Sequence, residues 1–264
     1  MYRIFFLCFY SNLQHLTAMK AMIFAAGLGT RLRPLTDNKP KALVAVGGIP
    51  LLEIAIRRLK QFGCSEVVIN IHHFGDQIAS FLESKSHFGI RIEISDEREQ
   101  LLDTGGGLKK ASWFFSDEPF ILLNADVISD LDLGALYQAH LSSGALATLA
   151  VRNRPSSRVF LFGPDGQLCG WANTQTGVEK RVRPIHDLQP LAFSGIQVID
   201  PGLFRYFPEE QSVFSIIDTY LLAAAREKIL AFPHDTGVWL DVGKPEQLPK
   251  AEAMLPYISL SDWP

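Results

Sequence analysis

Gly27-Leu28-Gly29-Thr30-Arg31 is the segment of this sequence best suited to holding phosphate. Glycines permit positive φ and close backbone approach. Successive N–H groups in such a turn form an anion-binding nest. Arg31 adds a planar fork of donors that matches phosphate oxygens. Two glycines alone would read as a tight turn; Thr30-Arg31 and the position directly after an apolar run shift the reading to a phosphate site. The Walker A pattern is absent, and Leu32 stands where the dinucleotide-binding fingerprint needs its third glycine. In Asn38-Lys39-Pro40-Lys41, Lys41 precedes apolar Ala42–Val46, which could turn its ammonium back onto the loop as a point charge.

Asp126 and Asp241 each close a short apolar run, in Leu123-Asn124-Ala125-Asp126 and Trp239-Leu240-Asp241-Val242-Gly243. Ligands of open parallel sheets bind at the carboxyl ends of strands. Mg²⁺ is commonly held by one or two carboxylates plus substrate phosphates. Each aspartate alone could equally be a helix N-cap; beside the glycine loop the metal reading is favoured. Leu102-Asp103-Thr104-Gly105-Gly106-Gly107 places three glycines before a helix-like segment, costly unless a base or sugar packs on bare backbone. Asn70 and Asn124 end strands facing the same edge. His72-His73 would point to opposite faces of a strand, a poor pair of metal ligands, and read as structural.

These residues need a scaffold of alternating strands and helices, and the sequence supplies one from Met19 onward. Strands are expected at Lys20–Ala26, Glu66–Ile71, Ile90–Ile94, Phe120–Asn124 and Ala145–Val151. Helices are expected after Pro50, over Asp76–Glu83 and over Leu133–His140. The apolar stripe Leu51, Leu52, Ala55, Ile56 and Leu59, followed by Gly63, has helical spacing. This βαβ rhythm predicts a mainly parallel sheet with helices on both faces. After Val151 the pattern becomes β-rich: a hairpin around Gly163-Pro164-Asp165-Gly166, an irregular loop over 172–190 and a strand at Leu191–Ile199. A helix at Ile216–Arg226, short strands at Ile229–Phe232 and Val238–Leu240, and a last helix from Pro245 follow.

The chain has 264 residues with a net charge of −3, and 47% of its residues are hydrophobic. That is ordinary globular composition. The charge disfavours a nucleic-acid partner reliant on phosphate contacts. Cys8, Cys64 and Cys169 fit neither a disulfide framework nor a zinc site, so a reducing, cytoplasmic compartment is expected. No run reaches the roughly 18 apolar residues of a membrane helix. Ile4–Tyr10 is short, with no cleavage site after it, so residues 1–18 read as a tail rather than a signal peptide.

Gly27-x-Gly29-Thr30-Arg31-Leu32-x-Pro34-Leu35-Thr36 followed by Pro40-Lys41 resembles the signature of sugar-1-phosphate nucleotidyltransferases, the nucleotide-sugar pyrophosphorylases. The resemblance implies a Rossmann-like three-layer α/β/α fold of the nucleotide-diphospho-sugar transferase type. Its central sheet would be mixed and mainly parallel, with a small β-rich insertion. It implies one domain over 19–255, with 256–264 as a tail too short for the β-helix domain that many relatives carry. The reaction implied is condensation of a nucleoside triphosphate with a sugar-1-phosphate, with Mg²⁺ on Asp126 and Asp241, and Arg31 and Lys41 neutralising phosphates. Ala125 replaces the glycine of the family's Asn-Gly-Asp segment.

Nucleotide contacts are expected at Ala26, Gly27, Gly29, Thr30, Asn70, Thr104, Gly105 and Asn124. Sugar contacts are expected at Gly106, Ser194 and Gly195. Glu179-Lys180-Arg181 only partly matches the family's Glu-Lys-Pro segment, whose lysine reaches the sugar phosphate. Length and motif pairing resemble most the N-acetylmuramate-1-phosphate uridylyltransferases, with mannose- or heptose-1-phosphate guanylyltransferases as rivals. A non-catalytic sensor on this fold would be expected to lack Arg31, Lys41 or an aspartate, and all four are present.

Overall fold

The computed structural model describes residues 19–258; the tail expected over 1–18, with Cys8, and residues 259–264 lie outside them. In chain order the first strands are β1 (Met19–Phe24), β2 (Ala45–Val46), β3 (Ile49–Pro50), β4 (Cys64–Ile71), β5 (Arg91–Asp96), β6 (Phe120–Asn124) and β7 (Val127–Ser129). They are followed by β8 (Ala147–Arg152), β9 (Arg158–Phe162), β10 (Leu168–Asn173), β11 (Val178–Arg181), β12 (Gln189–Ile199), β13 (Ile229–Pro233) and β14 (Trp239–Asp241). The helices are α1 (Leu51–Gln61), α2 (Gly75–Ser84), α3 (Asp103–Ala111), α4 (Leu133–Ser143), α5 (Ile216–Ala224) and α6 (Leu248–Met254).

One ten-stranded mixed sheet runs β11-β10-β9-β12-β6-β1-β4-β5, with β8 paired to β12 and β13. Its β6-β1-β4-β5 half is parallel. From β12 outward the pairing to β9, β10 and β11 is antiparallel, which is the expected β-rich insertion. Side chains alternate across a strand, so β1 sends Ala21 and Ile23 to one core and Met22 to the other. The first core lies under α1, α2 and α4, and the second under α3 and α5. Burial on both faces is why β1 reads as continuous apolar sequence.

A third cluster joins Leu32 of the glycine loop, Leu51 and Ile54 of α1, Leu240 and Val242 around Asp241, and Ala251 and Leu255 at the C-terminal end. Ile258 belongs to it too, so packing continues past the expected limit at residue 255. Among the described residues, no helix is long and apolar enough to cross a membrane.

Three expectations are corrected. The loop expected over 172–190 contains β11, whose Val178-Glu179-Lys180-Arg181 is exposed throughout and carries no apolar alternation to read. The glycines of Gly105-Gly106-Gly107 lie inside α3 rather than before it. The helix expected from Pro245 begins as a 3-10 turn, Pro245–Gln247, before α6.

Candidate active site

The carboxyl ends of β1, β4, β5 and β6 surround a cavity of about 560 Å³. Ala26, Gly27, Gly29, Thr30 and Arg31 line it from the glycine loop, and Lys41, Asn70, Thr104, Asn124 and Asp126 from elsewhere. Leu28, Leu101 and Val213 supply apolar wall. Gly29 stands at φ +64, and a Cβ there would come within 2.9 Å of the Lys41 Cβ and 3.0 Å of the Thr36 Cγ2. The glycine is therefore needed both for the turn and to bring Lys41 against the loop. The Thr36 hydroxyl donates to the Gly29 carbonyl at 2.9 Å and closes the turn from the other side.

The root of the loop is tied down by a chain of hydrogen bonds. The Ala25 N–H donates to Asn70 Oδ1 at 2.7 Å, and Asn70 Nδ2 donates to Glu97 Oε1 at 2.7 Å. Glu97 Oε2 accepts from the Leu102 N–H at 3.2 Å. Asn70 thus spends its side chain on the protein and lies 2% exposed. Burial raises the Glu97 carboxyl above its ordinary range, and the bonds from Asn70 and Leu102 partly offset that. Sequence reasoning missed Glu97, although its position just past a strand end is the signal that marked Asp126.

Asp126 follows β6, and its carboxylate pairs with the Lys41 ammonium. Asp241 ends β14, which pairs with β7 so that Asp241 faces Val127, the neighbour of Asp126. The Val242 N–H donates to the Asp126 carbonyl at 2.9 Å and locks the two segments together. Asp241 Oδ1 is buried and has no hydrogen-bond partner among the described residues. Burial raises the Asp241 carboxyl above its ordinary value, and the Asp126 charge raises it further. Lys41, Arg31 and Arg154 act in the opposite sense. A Cβ at Gly243 would sit 3.0 Å from Arg31 Nη2, so this glycine lets the guanidinium approach the acid pair. The structure thus brings Arg31, Lys41, Asp126 and Asp241 to one place.

It does not bring every expected residue there. The N–H groups of Gly105 and Gly106 both donate to the Phe214 carbonyl. A Cβ on Gly105 would meet the Phe214 ring at 2.4 Å, and one on Gly106 the Ser212 carbonyl oxygen at 2.0 Å. These glycines seat α3 on the segment before α5 and are not among the residues that line the cavity. Thr104 lines the cavity, yet its hydroxyl accepts from the Ile216 N–H at the start of α5.

Ser194 is fully buried, with its hydroxyl 2.7 Å from His234 Nε2. Gly195 has φ +75 and packs where a Cβ would strike Val127 and Asn124. Neither lines this cavity; both lie behind the acid turn, where the Ser194 carbonyl accepts from the Trp239 indole N–H. Lys180 bonds the exposed Asp218 at 2.8 Å. His72 Nδ1 lies 2.7 Å from the Glu97 carbonyl oxygen, and His73 packs on Phe74. Among the described residues no group of three or more His, Cys, Asp or Glu could hold a metal ion.

Burial keeps the His234 ring neutral, with its pKa lowered to about 4 from 6.5. The unfolded chain takes up a proton there near pH ~6.5 and the folded chain does not. This contribution to stability is therefore full above that value and is lost as the pH falls toward 4. Urea unfolding of His234→Gln between about pH 7 and 5 should show a shallower pH dependence than the parent. An unchanged slope would remove His234 from the account.

The sequence model of the nucleotidyl transferase family matches residues 20–256. This chain belongs to that family. It is 35% identical over 243 residues to an N-acetylmuramate alpha-1-phosphate uridylyltransferase of Neisseria meningitidis, covering 89% of this chain and 98% of that protein. It is 32% identical over 248 residues to an enzyme of the same name from Caulobacter vibrioides, covering 89% and 96%. The fold matches the crystal structure of a putative glucose-1-phosphate thymidylyltransferase from Bacillus anthracis, in complex with a sucrose. That match has a TM-score of 0.77 at 21% identity and covers 93% of this chain and 98% of that one. The nucleotidyltransferase is thus a mixed-sheet α/β enzyme with Arg31, Lys41 and Asp126 at the parallel end of the sheet.

Proposed function

We propose that this nucleotidyltransferase condenses UTP with N-acetylmuramate-1-phosphate, giving the UDP-sugar and pyrophosphate. The observation that carries the choice of substrates is the 35% identity, across 98% of its length, to the Neisseria meningitidis uridylyltransferase. The site supports the reaction type. An oxygen of the sugar-1-phosphate attacks the α-phosphorus in line, the bond to the β-phosphate oxygen breaks, and pyrophosphate leaves. No residue need bond covalently to substrate. Catalysis then rests on positioning and on neutralising charge.

The glycine loop offers its N–H groups to the triphosphate, and Arg31 and Lys41 at the cavity wall bring positive charge to the same phosphates. The apolar faces of Leu28, Leu101 and Val213 suit the flat side of a base.

The acid pair fits Mg²⁺. A buried carboxylate oxygen without a partner, beside a second carboxylate, is a donor set for a hard divalent cation. Asp126 and Asp241 would hold the ion, which when bound supplies double positive charge to phosphate oxygens. Lys41 shares the Asp126 carboxylate and so stands within reach of the same phosphates.

Pyrophosphate release, measured for four nucleoside triphosphates against a panel of sugar-1-phosphates, tests this reading. UTP with N-acetylmuramate-1-phosphate should give the highest kcat/KM. A higher value for GTP with a mannose- or heptose-1-phosphate would reassign the substrates, and no release with any pair would return the chain to a binding role.

A further inference from the structure

Two substrates must meet at the acid pair, and the cavity described above accounts for one of them. Its two lining cations from the predicted site, Arg31 and Lys41, face the nucleotide. A third cation acts on Asp241 without lining that cavity. Arg154 lies between β8 and β9, half-buried, with its guanidinium 4.0 Å from the centre of the Trp239 ring. Its Nη2 donates to the Phe193 carbonyl at 2.9 Å, and Nη1 reaches the Pro155 carbonyl only at 3.4 Å. Its Nε is shielded from solvent and has no partner among the described residues.

The platform under it is fixed. Trp239 lies on β14 two residues before Asp241, and its indole N–H donates to the Ser194 carbonyl at 2.8 Å. A planar cation held flat on an indole has its in-plane donors directed by the protein rather than by solvent. Buried donors in folded proteins normally have partners. Here an incompletely bonded guanidinium is near enough to act electrostatically on Asp241, whose Oδ1 also lacks a partner among the described residues. A direct Arg154–Asp241 pair would satisfy both groups, and the structure does not make it. What both lack is a third body: an oxyanion for the arginine and a cation for the aspartate.

We propose that Arg154 binds an oxyanion of the sugar substrate and holds that substrate at the acid pair from outside the nucleotide cavity. The inference rests on the nucleotidyltransferase reading, in which a sugar-1-phosphate is the second substrate. N-acetylmuramate-1-phosphate carries two oxyanions, the phosphate and the lactyl carboxylate. Both suit a guanidinium.

The experiment measures equilibrium binding of N-acetylmuramate-1-phosphate and of N-acetylglucosamine-1-phosphate, which has no lactyl carboxylate. The protein is first saturated with an unreactive UTP analogue, and KM values are taken in parallel with UTP. Arg154→Gln should weaken sugar-phosphate binding and raise its KM by roughly 10- to 100-fold, the effect of a charged hydrogen bond. Affinity for the UTP analogue should stay within about twofold of the parent, which also reports an intact fold. Arg154→Lys keeps the charge without the planar fork and should recover only part of the loss.

Equal losses with both sugars assign the phosphate, and a loss confined to the muramate assigns the carboxylate; either supports the proposal. Unchanged sugar binding in Arg154→Gln, or an equal loss of UTP-analogue affinity, overturns it. If the parent protein prefers another sugar-1-phosphate, the substrate assignment fails. The Arg154 proposal is then still decided by the variant-to-parent ratio measured with that sugar.

Discussion

Asp241→Asn should leave the protein folded and lower turnover by roughly 100- to 10,000-fold, the several kcal/mol that a correctly held charge contributes to a phosphoryl-transfer barrier. The expectation of an intact fold has its own physical basis. Among the described residues Asp241 has no hydrogen-bond partner for its buried Oδ1, and the residue is half-buried and faces the like charge of Asp126. Its native environment therefore disfavours the ionised form, and a neutral amide relieves that repulsion. The melting temperature of the variant should match or exceed that of the parent while pyrophosphate release collapses, as expected of a group kept for activity at a cost in stability. Normal turnover in the purified variant would sink the assignment of Asp241 to the reacting phosphates.

Gly106→Ala should do the reverse, damaging the fold first. Its Cβ would lie 2.0 Å from the Ser212 carbonyl oxygen, and backbone on both sides leaves no flexible side chain to move aside. The helix must shift off the 212–214 segment or the segment must shift off the helix. Overpacking of this kind costs about 3 kcal/mol. In a chain of this size that corresponds to a fall in melting temperature of roughly 10 °C. Val213 belongs to that segment and forms part of the cavity wall, so the KM for the nucleotide should rise in whatever fraction remains folded. A variant with the parent's melting temperature and a higher KM for the sugar alone would restore Gly106 to the substrate-contacting role read from the sequence.

That contrast marks where the sequence is informative. Residues set by one strand end were legible: the glycine loop follows β1, and Asp126 follows β6. The carboxyl edge of a parallel sheet is where ligands bind. Asp126 and Asp241 were each legible as a carboxylate closing an apolar run, and the family's signature supported the pair; the β7–β14 ladder that joins them, between distant segments of three residues each, left no mark in the sequence. The three glycines were read as a ligand's footprint, yet their neighbours are Phe214, Ser212 and Glu97, supplied by other parts of the chain. A glycine records that something comes close and does not say what.

The burial of the Ser194 hydroxyl was not legible for the same reason, since its partner His234 lies on the segment after β13. Glu97 was passed over because β5 continues to Asp96, beyond the expected end at Ile94, and the edge position became clear only once the strand was placed. Arg154 left no local signal, since its meaning depends on an indole from β14 and a carbonyl from β12.

The third apolar cluster also orders events during synthesis. Arg31 and Lys41 leave the ribosome early, but Leu32 and Ile54, which seat their loop, wait for Leu240, Val242, Ala251, Leu255 and Ile258. The same late segment delivers Asp241. A nascent chain halted just short of it would expose an unfinished apolar surface and could not assemble the acid pair. On the proposed role of Asp241, turnover is expected only once the chain has been translated past this segment.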